Sequence, residues 1–172
     1  LQRKRREVPA ATACRAPMVW PPPRRCRLLR ERGDLVISSA EIVVAVEDAA
    51  RERPFVELLS RLLRARTEAV DVASSPERFA AAKIRLRRCA ATTAGPEAYR
   101  IVVADDCGAV VTAHDDRGMH YGISTLSQLL RFYATTADDG LGAVLGVPAV
   151  AVDDAPDARW RAAVVDLRSN AT

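Results

Sequence analysis

The sequence is poor in the residues that build metal and redox sites. It contains two histidines and four cysteines among 172 residues, and no two cysteines form a CxxC pair. The histidines do not stand at metal-ligand spacing, and no HExxH segment occurs, which argues against a zinc site. We therefore predict a protein without metal or cofactor and with free, partly buried thiols. One or two disulfides in an oxidising compartment are the alternative.

Long apolar runs are absent as well. A transmembrane helix needs about 20 apolar residues, and the longest runs here are far shorter, so no membrane span is expected. No apolar segment follows the basic N-terminus, so no signal peptide is visible. Because the sequence begins with Leu1 and not Met, we expect a fragment or a processed form, for which a missing signal peptide has little weight.

Lysine is scarce, and the positive charge is unevenly placed. The net charge is +4, but residues 1–33 carry ten basic and two acidic side chains, whereas the rest carries sixteen basic and twenty acidic ones. With its prolines, this composition predicts a disordered arm over 1–33. The run RKRR at 3–6 is interpreted as a solvated tail, with a nuclear signal or a polyanion-binding patch as the alternative. Nucleic-acid binding is not expected, because a basic tail is a weaker signal than a basic face.

From residue 34 onwards, periodic patterns predict regular structure. Segments rich in β-branched or alternating residues predict strands at 41–46, 83–88, 98–105, 108–115, 146–154 and 160–167. Helical spacing of Phe55, Leu59 and Leu62 predicts an amphipathic helix over 53–66, with Pro54 in its first turn. The two strands around residues 105–108 are predicted to form a hairpin. These elements favour an α+β fold with two helices on one face of a mostly antiparallel sheet.

The most patterned segment is RGMHYGISTLSQLLRFY, residues 117–133. Asp115 or Asp116 is predicted to cap a helix whose apolar residues recur every three or four positions from 119 to 133. Gly118 and Gly122 stand four residues apart and would permit a close approach to the sheet. We interpret the segment as a packing helix, with an active-site entrance as the alternative.

The segment PEAYRIVVADDCGAVVTAHDDRGMHYGISTLSQLL, residues 96–130, resembles the second domain of glycoside hydrolase family 20, the β-N-acetylhexosaminidases. The helix matches that family's pattern G-x-x-Y-G-x-x-T-L-x-Q-L at Gly118, Tyr121, Gly122, Thr125, Leu126, Gln128 and Leu129. Asp154 and Pro156 match a strand that ends in Asp-x-Pro, and MVWPPP at 18–23 resembles the family's Pro-rich lead into the domain. Trp160, Arg161 and Ala162 stand where the family has Trp/Tyr-Arg-Gly, so the glycine is lost.

The resemblance implies a precatalytic domain over 34–155 of the type called zincin-like, without zinc. Residues 156–172 would then be a linker and the first strand of a truncated (β/α)8 catalytic barrel. Such a barrel needs about 250 residues, which this chain does not contain. The resemblance also implies that the domain packs on the barrel, that a glycan binds there, and that the protein is secreted or lysosome-like.

The chemistry implied by the resemblance is substrate-assisted retaining hydrolysis. The acetamido oxygen of the substrate attacks the anomeric carbon, a Glu protonates the leaving oxygen, and the preceding Asp orients the acetamido group. From residue 160 onwards no Asp-Glu pair occurs, so no catalytic residue is expected in this chain. The Asp-Asp pairs that begin at 105, 115, 138 and 153 are predicted to be turn and cap residues.

Arg168 is the one candidate substrate-binding residue. The family's first barrel strand ends in Asp-x-x-Arg, whose guanidinium binds sugar hydroxyls. With Asp166 aligned, Ser169 stands at the arginine position and Arg168 one residue earlier. Because side chains alternate along a strand, Arg168 would point away from the sugar unless a bulge turns it. The alternative is a charge at the end of a degenerate strand.

The leading hypothesis is a non-catalytic N-terminal domain of a β-N-acetylhexosaminidase-like glycoside hydrolase, inactive alone. Its parent would remove terminal N-acetylhexosamine. His114 and His120 are interpreted as structural, since no carboxylate or nucleophile partner is evident for either. One alternative is a polyanion-binding module that acts through the basic arm. Another is an inactive, degenerate relative, which Ala162 and Ser169 suggest.

Overall fold

The computed structural model describes residues 19–38, 42–89, 95–133 and 144–158. These ranges contain nine strands and three helices. In chain order they are β1 (Arg25–Leu28), β2 (Leu35–Ser38), β3 (Ile42–Ala45), α1 (Ala49–Leu63), β4 (Thr67–Val70), α2 (Pro76–Ala81), β5 (Ile84–Arg88), β6 (Tyr99–Ala104), β7 (Gly108–Ala113), α3 (Asp116–Phe132), β8 (Val144–Val147) and β9 (Val150–Asp154). The α+β class is confirmed, and the strand expected at 160–167 lies outside the described residues.

The main sheet is mixed, not mostly antiparallel. Its seven strands lie in the order β1-β9-β6-β7-β5-β3-β4, and β2 pairs with β8 in a separate ribbon. The pairs β1–β9, β9–β6 and β6–β7 are antiparallel. The pairs β7–β5, β5–β3 and β3–β4 are parallel. The expectation was wrong because α1 and α2 are crossovers between parallel strands, which hairpin-like sequence signals do not reveal.

The single strand expected over 146–154 is two strands in different sheets. Pro148 lies between β8 and β9, and its ring nitrogen has no hydrogen to donate to a ladder. The chain therefore leaves the β2–β8 ribbon at this point and enters the main sheet between β1 and β6.

The core lies between one face of the main sheet and the helices α1 and α3. Val56 and Leu59 of α1, Ile123 and Leu126 of α3, and Ile101 of β6 belong to one buried cluster. The α3 stripe is buried throughout, since Met119, Ile123, Leu126 and Leu130 have no exposed surface. The hydrophobic effect thus fixes both helices on the same face of the sheet.

Helix α1 begins four residues before the predicted start at residue 53. Its N-cap is Asp48, whose carboxylate accepts hydrogen bonds from the backbone N–H groups of Ala50 and Arg51. The helix ends at Arg64, which has a left-handed φ of 53°. Pro54 therefore lies inside the helix and not in its first turn. The aspartate cap at residue 48 is a stronger start signal than the proline at residue 54, which is why the predicted start was four residues late.

The third helix, α2, was not predicted, and it lies on the opposite face of the sheet. Arg78 of α2 binds both carboxylate oxygens of Glu68 on β4 at 2.7 Å. Arg85 of β5 donates to the Ala80 carbonyl. Because Ile84 and Leu86 face the core, Arg85 between them points to the other side. The short helix covers the β3–β4 end of that second face.

The basic segment 1–33, interpreted as a disordered arm, contains β1. Arg25 to Leu28 pair with Asp153 to Val150, four of the five residues of β9. The interpretation is wrong for these residues because an edge strand is held by its backbone ladder and needs few apolar side chains. Residues 1–18, which include the RKRR run, lie outside the described residues.

Candidate functional site

Two glycines lie at the contact between α3 and the hairpin of β6 and β7. A Cβ atom at Gly118 would stand 2.5 Å from the Ala98 carbonyl oxygen. A Cβ atom at Gly122 would stand 2.6 Å from Cγ1 of Val111. Carbon atoms in contact normally lie about 3.5–4.0 Å apart, so any larger residue would push the helix away from the sheet.

Asp115 caps α3 and ties it to the start of β6. Its carboxylate accepts from the backbone N–H of Gly118 at 2.8 Å and from that of Glu97 at 2.9 Å. Burial alone would raise the pKa of Asp115, but these donors outweigh it and hold the pKa below its ordinary value. The Glu97 carboxylate in turn accepts from Arg117 in the first turn of the helix.

A buried hydroxyl pair connects α3 to β6 and β9. The Tyr99 hydroxyl donates to Oδ2 of Asp154 at 2.9 Å and lies 2.7 Å from Oγ1 of Thr125. Because the tyrosine has one hydroxyl hydrogen, Thr125 supplies the hydrogen for the second bond. Burial raises the pKa of Tyr99 above its ordinary value, so the phenol stays protonated and able to donate.

Arg24 joins the same aspartate to the segment that follows β9. Its backbone N–H donates to Oδ1 of Asp154 at 3.1 Å. Its guanidinium donates to Oδ1 of Asp157 at 2.6 Å and to the Pro156 carbonyl at 3.2 Å. The residues just before β1 are therefore bound to the residues just after β9.

Gln128 holds the leading segment, residues 19–24, against α3. Its side chain accepts from the Trp20 N–H at 2.8 Å and donates to the Trp20 carbonyl at 3.0 Å. Both backbone groups of Trp20 are satisfied, while its indole is 79% exposed. We call Arg24, Tyr99, Thr125, Gln128 and Asp154 the clamp, because they join the leading segment, β9 and α3 at one place.

All five clamp residues lie within the span of a known family pattern. The chain matches the family model described as glycosyl hydrolase family 20, domain 2, over residues 16–155. That span includes every strand and helix of the described residues. The chain belongs to glycoside hydrolase family 20. The match begins before β1, which agrees with the place of β1 in the main sheet.

Solved structures of family 20 enzymes share the fold. The β-N-acetylhexosaminidase of Bacteroides fragilis is 24% identical with a TM-score of 0.60, over 83% of this chain and 26% of the enzyme. The N-acetyl-β-hexosaminidase of Streptomyces plicatus is 24% identical with a TM-score of 0.61, over 85% and 27%. This chain thus spans roughly a quarter of those enzymes. No curated protein sequence matches it.

Most residues of the helix motif are buried or make a hydrogen bond in the structure. Leu126 and Leu129 have no exposed surface, and Tyr121 is half-buried against the core. Thr125 and Gln128 are the two residues that α3 contributes to the clamp. The candidate sugar ligand Arg168, together with Trp160, Ala162 and Ser169, lies outside the described residues.

An open cleft of about 950 Å³ lies beside the clamp and has acidic walls, but its carboxylates are already engaged. Glu97 pairs with Arg117, Asp115 caps α3, Asp157 binds Arg24, and Asp116 lies 2.5 Å from an Arg88 nitrogen. A general acid needs a carboxyl whose pKa is raised, whereas that of Asp115 is lowered. These contacts hold α3, β6 and the segment after β9 together.

The described residues offer no other catalytic or metal arrangement. His120 is exposed at the surface of α3, and neither its side chain nor that of His114 is hydrogen-bonded to a carboxylate within the described ranges. No group of three His, Cys, Asp or Glu in those ranges could hold a metal ion. None of the helices there is long and apolar enough to cross a membrane.

The sequence analysis missed one buried ion pair. Arg88 at the end of β5 binds both oxygens of Glu52 in α1, at 2.5 and 3.1 Å. Its guanidinium also lies over the Phe55 ring, 5.3 Å from the centroid. The signal available in the sequence was the position of Glu52, one turn into a helix that follows an aspartate cap.

Proposed function

We propose that this chain is the non-catalytic N-terminal domain of a β-N-acetylhexosaminidase-like glycoside hydrolase. Its role is to pack on a (β/α)8 catalytic barrel and to fix the direction in which the chain enters that barrel. The observation that carries the proposal is the clamp. It binds Pro156 and Asp157 to Arg24 just where the family match ends, at residue 155.

The clamp fixes the position of the chain at the end of β9, where the proposed linker begins. Asp154 accepts hydrogen bonds from the buried hydroxyl of Tyr99 and from the backbone N–H of Arg24 in the leading segment. A segment held on both sides keeps little conformational freedom, so the orientation of the next domain is largely set. The exposed side chain of Trp20 lies at the same place, and tryptophan is enriched among the residues that contribute most to binding between protein surfaces.

The parent enzyme that we infer would remove terminal N-acetylhexosamine by substrate-assisted retaining hydrolysis. The barrel would supply the Asp-Glu pair and bind the glycan, with Arg168 as a candidate ligand of the sugar. The domain described here contributes position and stability. We place its start near residue 16, where the family match begins, instead of at residue 34. Residues 156–172 remain the proposed linker and first barrel strand.

The test joins the chain to the coding sequence that follows Thr172 and measures hydrolysis of a chromogenic N-acetylglucosaminide. The joined protein is expected to hydrolyse it. Asp154→Asn, which removes the charge that accepts from Tyr99 and Arg24, is expected to shorten the half-life of activity on heating while kcat at low temperature stays unchanged. A joined protein that folds but has no activity would overturn the proposed enzyme. A lower kcat with an altered pH profile and unchanged heat stability would overturn the supporting role.

A further inference from the structure

The face of the main sheet opposite α1 and α3 carries a surplus of arginine. Residues paired across neighbouring strands share a face, so the register defines rows across the sheet. One row consists of Arg25, Asp153, Arg100, Thr112 and Arg87, on β1, β9, β6, β7 and β5. The next row consists of Arg27, Ala151, Val102, Val110 and Arg85, on the same strands. In this second row Ala151 is buried beside Leu29, and Val102 packs against the same small cluster. We call these two rows the open face.

The arginines stand at both ends of the open face and at its centre. Four steps between strands of about 4.8 Å make each row about 19 Å long, and the rows lie about 7 Å apart. Arg25 and Arg27 mark one end, Arg85 and Arg87 mark the other, and Arg100 lies between them. Helix α2 reaches the edge of this face at Arg85, through the Ala80 carbonyl, and covers the strands beyond it.

The positive charge of the open face is only partly neutralised. Asp153 lies 2.9 Å from Nε of Arg100, and Glu47 lies 3.8 Å from Nε of Arg87. In the part of the chain that the structure describes, Arg25, Arg27 and Arg85 are paired with no carboxylate. Like charges close together on a sheet repel one another, so this surplus does not stabilise the fold.

We propose that the open face binds an anionic glycan, a sugar polymer that carries sulfate or carboxylate groups. The guanidinium fork matches such groups with two parallel hydrogen bonds. Both rows lack aromatic side chains, on which single-stranded nucleic acids stack, and they lack large apolar side chains that would enter a membrane. The choice of a glycan rests on the proposed function, which assigns the chain to a glycan-cleaving enzyme.

The inference narrows the substrate class of the parent enzyme. A charged face about 19 Å long would span several sugar units of an acidic polymer. It would hold acidic chains near the enzyme by attraction that salt weakens. Neutral oligosaccharides, such as those derived from chitin, would gain nothing from it.

The test measures binding of heparin oligosaccharides to the full 172-residue chain by calorimetry at physiological ionic strength. Desulfated heparin, a chitin oligosaccharide and single-stranded DNA of matched charge serve as comparison ligands. Two face variants remove opposite ends of the open face, R25Q/R27Q and R85Q/R87Q. A control variant, R61Q/R131Q, removes two exposed arginines from the helices on the other side of the sheet. A fourth variant replaces Arg3, Lys4, Arg5 and Arg6 with glutamine.

The chain is expected to bind heparin. Each face variant is expected to raise the Kd by about tenfold or more, because the loss of one charged hydrogen bond is enough to change the Kd that much. The Kd values of the control variant and the N-terminal variant should stay within about twofold of the wild-type value, a smaller change than the loss of one charged hydrogen bond would cause. Circular dichroism melting checks that each variant folds, and the two face variants test the same surface independently. Binding lost only in the N-terminal variant, or equal binding to DNA, would overturn the proposal. Substituting these arginines is expected to leave the joined protein's hydrolysis of a neutral chromogenic substrate unchanged. A joined protein that does not hydrolyse that substrate would therefore count against the proposed function and not against this inference.

Discussion

Replacing Gly118 with alanine is expected to destabilise the domain, although alanine normally stabilises a helix. The new Cβ would stand 2.5 Å from the Ala98 carbonyl oxygen, a backbone atom that cannot rotate away. The first turn of α3 must therefore move away from β6. This movement would also disturb the Asp115 cap, whose carboxylate accepts from the Gly118 N–H.

The net effect follows from two opposing contributions. Glycine to alanine inside a helix gains about 1 kcal/mol. Forcing an extra methyl group into a tightly packed contact costs about 1–3 kcal/mol, and the upper end applies where the obstacle is backbone. The free energy of unfolding should fall by about 2 kcal/mol, which lowers Tm by about 4–8 °C for a domain of this size. Thermal and urea unfolding, followed by circular dichroism, measure this change.

Gly122 offers a matched comparison because its obstacle is a side chain. Its Cβ would stand 2.6 Å from Cγ1 of Val111, so Val111→Ala should relieve much of the cost of Gly122→Ala. A double-mutant cycle should show a favourable coupling of about 1 kcal/mol for this pair and little coupling between Gly118→Ala and Val111→Ala. A Gly118→Ala variant as stable as the wild type, or more so, would refute the close approach of α3 to β6.

Three further variants probe the polar contacts. Gln128→Ala removes both hydrogen bonds to the Trp20 backbone, so the free energy of unfolding should fall by about 1–3 kcal/mol and amide exchange near residue 20 should rise. Arg88→Met leaves Glu52 buried without its partner, which should lower the free energy of unfolding by about 3–5 kcal/mol at neutral pH. The lowered pKa of Asp115 contributes stability above the carboxyl's unfolded pKa of about 3.9, and this is lost as pH falls through the lower folded value. Urea titrations of Asp115→Asn between neutral pH and acid should therefore show a weaker loss in acid than the wild type.

The elements that were predicted correctly are those determined by residues close together in the sequence. The hairpin of β6 and β7, strand β5 and helix α3 follow from alternation, turn residues and helical spacing within a few residues of each other. Strand β1 was missed because its Arg-Cys-Arg-Leu sequence resembles a charged tail, and its order comes from β9, about 125 residues later along the chain. The parallel half of the sheet was missed for a similar reason. The local sequence of β5 does not indicate that this strand pairs with β3 and β7.

The candidate site shows the same division. Gly118 and Gly122 could be interpreted from their spacing, since two small residues one turn apart suggest a close contact. The clamp could not, because Trp20 and Gln128 are 108 residues apart and Tyr99 and Asp154 are 55 apart. The family motif marked Thr125 and Gln128 as important without stating what they bind. The structure supplies their partners.

The proposed role of this domain is to support catalysis without performing it. The direct measurement is hydrolysis of a chromogenic N-acetylglucosaminide by the purified 172-residue chain. The account predicts a rate equal to that of the blank, since every carboxylate in the cleft beside the clamp is engaged in a cap or an ion pair. Turnover above the blank that disappears on substitution of one of those carboxylates, such as Asp157→Asn, would contradict it.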